Sequence, residues 1–158
     1  MIALGSGIVP LDEYKSMIYY HEDKPHWYET FKVAIPIEEF KTSHLKFTFK
    51  HRSSNEAKDK NEKPFAMSYV KLMQENGTTL RDARHHLVVY KVDYKKFDEK
   101  SLDYFKLLSI ASETKDTGPK TQVAGLTPSK DVFIISSNIC STKLTQNGKF
   151  SPLFKFFS

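Results

Sequence analysis

Cysteine is almost absent from this 158-residue chain, in which Cys140 stands alone. One thiol excludes an intrachain disulfide and a paired-thiolate metal site, and nothing calls for an oxidising compartment. Long apolar runs are absent too. No segment approaches the roughly 20 residues that a membrane-crossing helix needs. Met1 to Leu11 has no basic start and only a short, glycine-interrupted apolar stretch, so it does not read as a signal peptide. The expected setting is cytoplasmic, with any membrane contact peripheral. Asn76-Gly77-Thr78 matches a glycosylation triplet but, without a secretory signal, is not expected to be used. A sustained 3.6-residue apolar stripe is also lacking, and only Leu102 to Ile110 has the pattern of a short helix. Nucleophile elbows, zinc-protease helices, phosphate loops and dinucleotide fingerprints are missing. The chain is therefore not expected to be an enzyme. Acidic charge is in deficit: 19 Asp and Glu against 24 Lys and Arg leave a net +5, which favours contact with phosphate on nucleic acid or on a membrane.

What is present is short apolar alternation. Leu45, Phe47 and Phe49 alternate with Lys46, Thr48 and Lys50, which gives an extended segment one apolar and one wet face. Phe65 to Met73 is a second apolar run of strand length, opened by Pro64. Between them runs HRSSNEAKDKNEKP, a charged loop much longer than a tight hairpin requires. Tyr14 to Tyr20 reads as a strand, His21 to Pro25 as a turn, and Trp27 to Ile35 as another strand with Phe31, Val33 and Ile35 on one face. Asn76-Gly77 favours a turn. His86 to Val92 and Asp131 to Cys140 complete the strands, with Cys140 expected as a small buried residue of its β-branched run. Thr114 to Ser129, holding Gly118-Pro119 and Thr127-Pro128, reads as a mobile insertion. The fold class expected is all-β, an antiparallel sandwich.

Consecutive antiparallel strands place their connections alternately at the two ends of such a sandwich. Counting connections puts the 21–26, 50–63 and 93–100 loops at one end, and the 37–44 and 74–85 loops at the other. The first end gathers Lys24, Arg52, Lys58, Lys60, Lys63, Lys95 and Lys96, interleaved with eight carboxylates, so by charge count it is not a strong basic field. Arg52 offers phosphate a planar fork and the lysines act as mobile point charges. A calcium site would need acidic side chains converging from several loops, whereas here each has a basic neighbour in sequence. His85 and His86 point to opposite faces of a strand, and the other histidines lack zinc-ligand spacing. No metal or cofactor is implied. Phe47, Phe49, Tyr69 and Tyr90 have the period-two placement of core residues rather than of a base-stacking platform, so nucleic acid is not an expected partner.

The strings EYKSMIYY, KPHWYETFKVAIPIEEF, HLKFTFKHRSS with DKNEK, FAMSYVKLM, NGTTLRD, HLVVYK and ICSTKLTQN closely resemble, in order, the first Dock homology region of the dedicator-of-cytokinesis (DOCK) family. The resemblance runs from Glu13 to Asn147, interrupted by the Ser112 to Thr127 insertion, and looks most like the Rac-directed branch. It implies a C2-type β-sandwich that recognises phosphatidylinositol trisphosphate without calcium, through a basic pocket in its upper loops. On this chain that pocket is expected at Lys24, Arg52, Lys58, Lys60 and Lys63. The resemblance further implies a module that brings a guanine nucleotide exchange factor to the plasma membrane, where a separate region, with no counterpart here, meets a small GTPase. The alternative is a protein-interaction or scaffold fragment without lipid affinity.

Three features differ from the family pattern. The family's domain begins with two further strands joined by a lysine-bearing loop, so this chain is expected to lack its first two strands, with residues 1–147 as the domain and 148–158 as a tail. Ala83 stands where glycine is usual and His86 where an acidic residue is usual. FSPLFKFFS closes the chain in place of a leucine-rich continuation.

Overall fold

The computed structural model describes residues 2–3, 12–55, 57, 62–98, 100–112 and 121–141. Their named elements are six strands and one 3-10 turn: β1 (Ile2–Ala3), β2 (Lys32–Val33), β3 (His44–Phe49), β4 (Ala66–Lys71), β5 (Arg84–Val92), the turn Asp103–Lys106 and β6 (Leu126–Ser136). All pairings are antiparallel, so the chain is all-β, as the alternation predicts. It divides into two compact units, Met1–Phe40 and Lys41–Ser158.

The second unit holds a four-stranded sheet in the order β3-β4-β5-β6. Leu45 pairs with Val70 and Phe47 with Ser68, so the apolar side chains of β3 share a face with Val70 of β4. That face gathers Val70, Leu80 and Leu87, backed by Leu45, Phe47, Ile110, Phe133 and Ile135. The opposite face buries Met67, Tyr69, Val88 and Tyr90 beneath Phe97, Tyr104 and Leu126. Its cover is the connection from β5 to β6. Both faces are thus covered, which explains why β4 reads as a continuous apolar run instead of an alternation.

The β4–β5 ladder is short. Only Ala66–Lys91 and Met67–Tyr90 are paired. Further along, the Val88 N–H donates to Ser109 O at 2.9 Å, and the Val88 carbonyl accepts the Ser68 hydroxyl at 2.9 Å. The N–H and C=O of a strand residue point the same way, so Ser109 meets β5 on the edge that faces β4. The Leu107–Ile110 segment replaces β4 as ladder partner there, and the buried Ser68 satisfies the carbonyl left over. Tyr69 and Tyr90 donate their hydroxyls to Leu107 O and Leu108 O, which fastens the segment to both strands.

Several expectations are corrected. Tyr14 to Tyr20 forms no strand, and Trp27 to Ile35 contributes only Lys32–Val33. Instead, Glu29 accepts the Met17 N–H and the Tyr14 hydroxyl, both at 2.7 Å, Trp27 donates its indole N–H to Met17 O, and Tyr19 its hydroxyl to His26 O. Side chains take the place of a ladder. The final strand runs Leu126–Ser136 rather than Asp131 to Cys140, so the insertion ends before Leu126; residues 113–120 lie outside the described set. Ser137 N–H returns to Ala83 O, and Asp82 accepts the Ile139 N–H. The chain leaves the ladder there and Cys140 is exposed, not buried. The Leu102 to Ile110 helix is one 3-10 turn, Asp103–Lys106. Asn76-Gly77 turns as expected, with Gly77 at φ 80°.

Candidate functional site

The end of the sheet where β3 and β5 finish, and β4 and β6 begin, is closed by backbone bonds. Phe65 N–H donates to Phe49 O and Val92 N–H to Phe65 O, both at 2.9 Å, and Asp93 N–H donates to Gly125 O at 2.8 Å. These bonds bring the bases of three connections together. Gly125 is required there: its φ is +78°, and a Cβ would lie 2.5 Å from Phe97 N.

On this frame sit the basic side chains. Lys63 Nζ lies 5.2 Å from the centroid of the Tyr94 ring, which ties the far end of the 50–63 loop to the 93–100 loop. His51 stacks on Phe65, with centroids 4.3 Å apart and planes inclined 16°. Lys95 and Lys96 follow Tyr94 in a turn whose Asp93 carboxylate accepts the Lys95 N–H at 3.0 Å, and Asp98 accepts the Lys100 N–H in the same way. Two of the interleaved carboxylates therefore cap their own turns. Lys50, Arg52, Lys63, Lys91, Lys95, Lys96 and Lys100 are all exposed.

The parity count thus holds for the described ends of two loops: those of 50–63 and 93–100 lie at one end of the sheet. Of the five residues expected to bind a headgroup, Arg52 and Lys63 belong to this rim. Lys58 and Lys60 lie outside the described residues. Lys24 belongs to the first unit, where it is exposed and its N–H donates to Glu22 Oε1 at 2.9 Å. Tyr94 and the His51–Phe65 stack were not anticipated as part of this end. The available signal was aromatic residues embedded in charge, as in DYKK.

The opposite end of the sheet is fastened through side chains. His85, buried, places Nε2 2.9 Å from Arg81 O and 3.0 Å from Ser137 Oγ, and Ser137 Oγ donates to Arg81 O at 2.7 Å. His86 is exposed, as strand geometry requires of its neighbour. Tyr69 and Tyr90 are core residues, and Phe47 and Phe49 pack on Phe133.

Residues 1–149 match the family model DOCK-C2, described as the C2 domain in Dock180 and Zizimin proteins. The chain is 41% identical over 155 residues to dedicator of cytokinesis protein 4 of Mus musculus and 40% identical to its Homo sapiens counterpart. It is 38% identical over 156 residues to dedicator of cytokinesis protein 3 of Mus musculus. Each alignment covers 98% of this chain and 8% of the relative, so the chain spans about a twelfth of those proteins. The antiparallel sheet accords with a C2-type β-sandwich, and the chain belongs to the DOCK-C2 family.

Proposed function

We propose that this chain is a membrane-targeting module that binds a phosphoinositide headgroup at the rim carrying Arg52, Lys63, Lys95 and Lys96. The observation that carries the reading is the Lys63–Tyr94 contact, because it gathers basic residues from two loops at one end of a rigid sheet. Lys58 and Lys60, between Arg52 and Lys63 in sequence, are assigned to the same ligand. In this reading the module works in the cytoplasm and is recruited peripherally to the inner leaflet of the plasma membrane. There it carries an exchange factor whose contact with a Rac-type GTPase lies outside these residues.

Magnitudes separate selective from general attraction. Each basic residue near an anionic surface contributes about 1 kcal/mol, so five give roughly 5 kcal/mol, a sub-millimolar affinity at best. Micromolar binding needs about 8 kcal/mol. The remainder must come from charge-assisted hydrogen bonds in a formed pocket, which implies headgroup selectivity. The test is co-sedimentation with vesicles carrying phosphatidylinositol trisphosphate, against vesicles matched in charge with phosphatidylserine, at physiological salt with chelator present. Selective binding that is lost in a Lys58→Glu, Lys60→Glu double variant supports the reading, and equal sedimentation with both vesicles refutes it.

One observation favours a second reading, a docking module without lipid affinity. Met17, Ile18, Tyr20 and Tyr28 of the first unit are exposed, Tyr20 by 88% and Tyr28 by 91%. Exposed apolar side chains gathered in one short segment, as at Met17 to Tyr20, suit a protein surface.

A further inference from the structure

The sheet face that Tyr104 and Phe105 cover carries a second cluster of positive charge, where β3 opens and β4 ends. His44 pairs directly across the ladder with Lys71, and Lys46 pairs with Tyr69, so His44, Lys46 and Lys71 share one face of two adjacent strands. Beneath them lie the adjoining rings of Tyr104 and Phe105, centroids 4.6 Å apart. Lys46 Nζ is 5.7 Å from the Tyr104 centroid and Lys71 Nζ 5.6 Å from that of Phe105. His44 meets Phe105 edge-on at 4.5 Å, and its Nε2 shares a 2.8 Å hydrogen bond with the Tyr104 hydroxyl. Two ammonium groups, an imidazole and a phenol therefore converge on one two-ring floor.

Like charges on neighbouring strand positions are unfavourable, and an anion between them relieves the conflict. Burial and then the Lys46 charge hold the His44 imidazole below the ordinary histidine range, so the positive charge of the site is that of Lys46 and Lys71. Asp103, on the turn that carries the rings, is engaged by Lys106 at 2.6 Å and by the Ser101 hydroxyl at 2.5 Å. Lysine ammonium groups act on phosphate as point charges, and phosphate has enough oxygens to receive both of them and a hydroxyl at once.

We propose that His44, Lys46, Lys71 and Tyr104 form a phosphate-binding site on the sheet face, for a phosphate group that is either free on a soluble polyanion or borne by a lipid headgroup. The site is separate from the loop rim. His44 opens β3 and Phe49 ends it, so at about 3.3 Å per residue the two ends lie roughly 17 Å apart. Bound phosphate opposes the Lys46 charge, so His44 gains proton affinity on binding. The groups facing that imidazole are Lys46 on its own strand, Lys71 on β4 and the Tyr104 hydroxyl on the turn, with the Phe105 ring edge-on to it.

Nuclear magnetic resonance of the full chain with inositol hexakisphosphate as the probe tests this. Saturable shifts of the His44 ring protons and of the Lys71 and Tyr104 amides are expected, with an upward move of the His44 titration midpoint at saturation. Lys71→Gln is expected to weaken those shifts at least tenfold, and Lys46→Gln to do likewise. Arg52→Glu with Lys63→Glu should leave them unchanged. Vesicles with phosphatidylinositol trisphosphate in place of the soluble probe assign the source: shifts at His44 with only one of the two name it. Perturbation confined to His51, Lys63 and Tyr94, shifts at His44 that survive both lysine substitutions, or no shift at millimolar probe would overturn the proposal. Lys71 is only half-buried, and the amide spectrum of each variant reports its folding directly.

Discussion

Residues 27–35 and β3 show the same alternation in sequence, yet they are held by different means. From Trp27 to Ile35 burial alternates residue by residue, with Phe31, Val33 and Ile35 half-buried and Thr30, Lys32 and Ala34 exposed. Only Lys32 and Val33 sit in a ladder. Tyr28 adopts φ 49°, where a non-glycine residue is strained, and His21 adopts φ 52°. In β4, by contrast, all six residues are paired to β3 and five are buried. Alternation therefore reports an extended backbone with one covered face. Whether that backbone has a hydrogen-bonding neighbour is a separate matter.

The largest effect that would sharpen this contrast is on stability. Leu87 is fully buried within the Val70–Leu80 cluster. Leu87→Ala is expected to destabilise by about 2–5 kcal/mol, from lost transfer energy and the cavity left behind. Ile18→Ala, at a side chain 65% exposed in the first unit, is expected within about 0.5 kcal/mol of the parent. Urea unfolding of the two variants measures the difference, and equal midpoints would break the comparison. Gly125→Ala comes next, at about 1–3 kcal/mol for the left-handed backbone alone. Its new Cβ also meets Phe97 N at 2.5 Å, Phe97 Cβ at 2.7 Å and Asp93 O at 2.8 Å. The expected signature is a lowered urea midpoint with loss of the Tyr94–Phe97 turn from amide spectra.

A smaller effect probes the other side. Glu29→Gln weakens two charge-assisted bonds, to Tyr14 and Met17, in a segment with few buried apolar contacts. Hydrogen exchange at residues 14–20 is expected to accelerate at least tenfold, with the global midpoint unmoved, because such a segment opens locally. A matching fall in the global midpoint would mean that this segment unfolds only with the rest.

How much of this was legible in the sequence depends on which contacts are local. Leu45 to Phe49 and Phe65 to Met73 place β3 and β4 within two residues, because both strands are short apolar runs bounded by turn or proline signals. Asn76-Gly77 specified its turn, since positive φ is a property of the residue itself. The β4–β5 parting was not legible: it depends on Ser68, Ser109 and two tyrosine hydroxyls that meet only after folding. The early start of β6 was hidden by Thr127-Pro128, which reads as a turn. The chain accommodates that proline beside an irregular register between Val88 and Tyr90. At the rim, strand parity placed the 50–63 and 93–100 loops together. The Tyr94 ring that Lys63 rests on depended on side-chain reach and could not be read from spacing.

The smallest expected effect concerns a single proton. His44 is half-buried against Tyr104 and Phe105, and burial followed by the Lys46 charge lowers its pKa in the folded chain. In the unfolded chain an ordinary histidine titrates near pH 6.5. Below about that pH the unfolded state binds more protons than the folded one, so stability falls as the solution is acidified toward the folded pKa. The contribution is fully present above about pH 6.5 and is lost on the acid side, opposite in sign to a histidine that gains an anionic partner. His44→Gln places an amide near the position of Nε2 and cannot take up that proton. Its melting temperature is expected to drop less than the parent's between pH 7.5 and pH 5.5, by about 0.5–1 °C for each roughly 0.25 kcal/mol of linkage removed. Equal drops would mean that the His44–Tyr104 contact opens without cost when the ring is protonated, and that this corner of the sheet is as loosely held as the segment from Tyr14 to Tyr20.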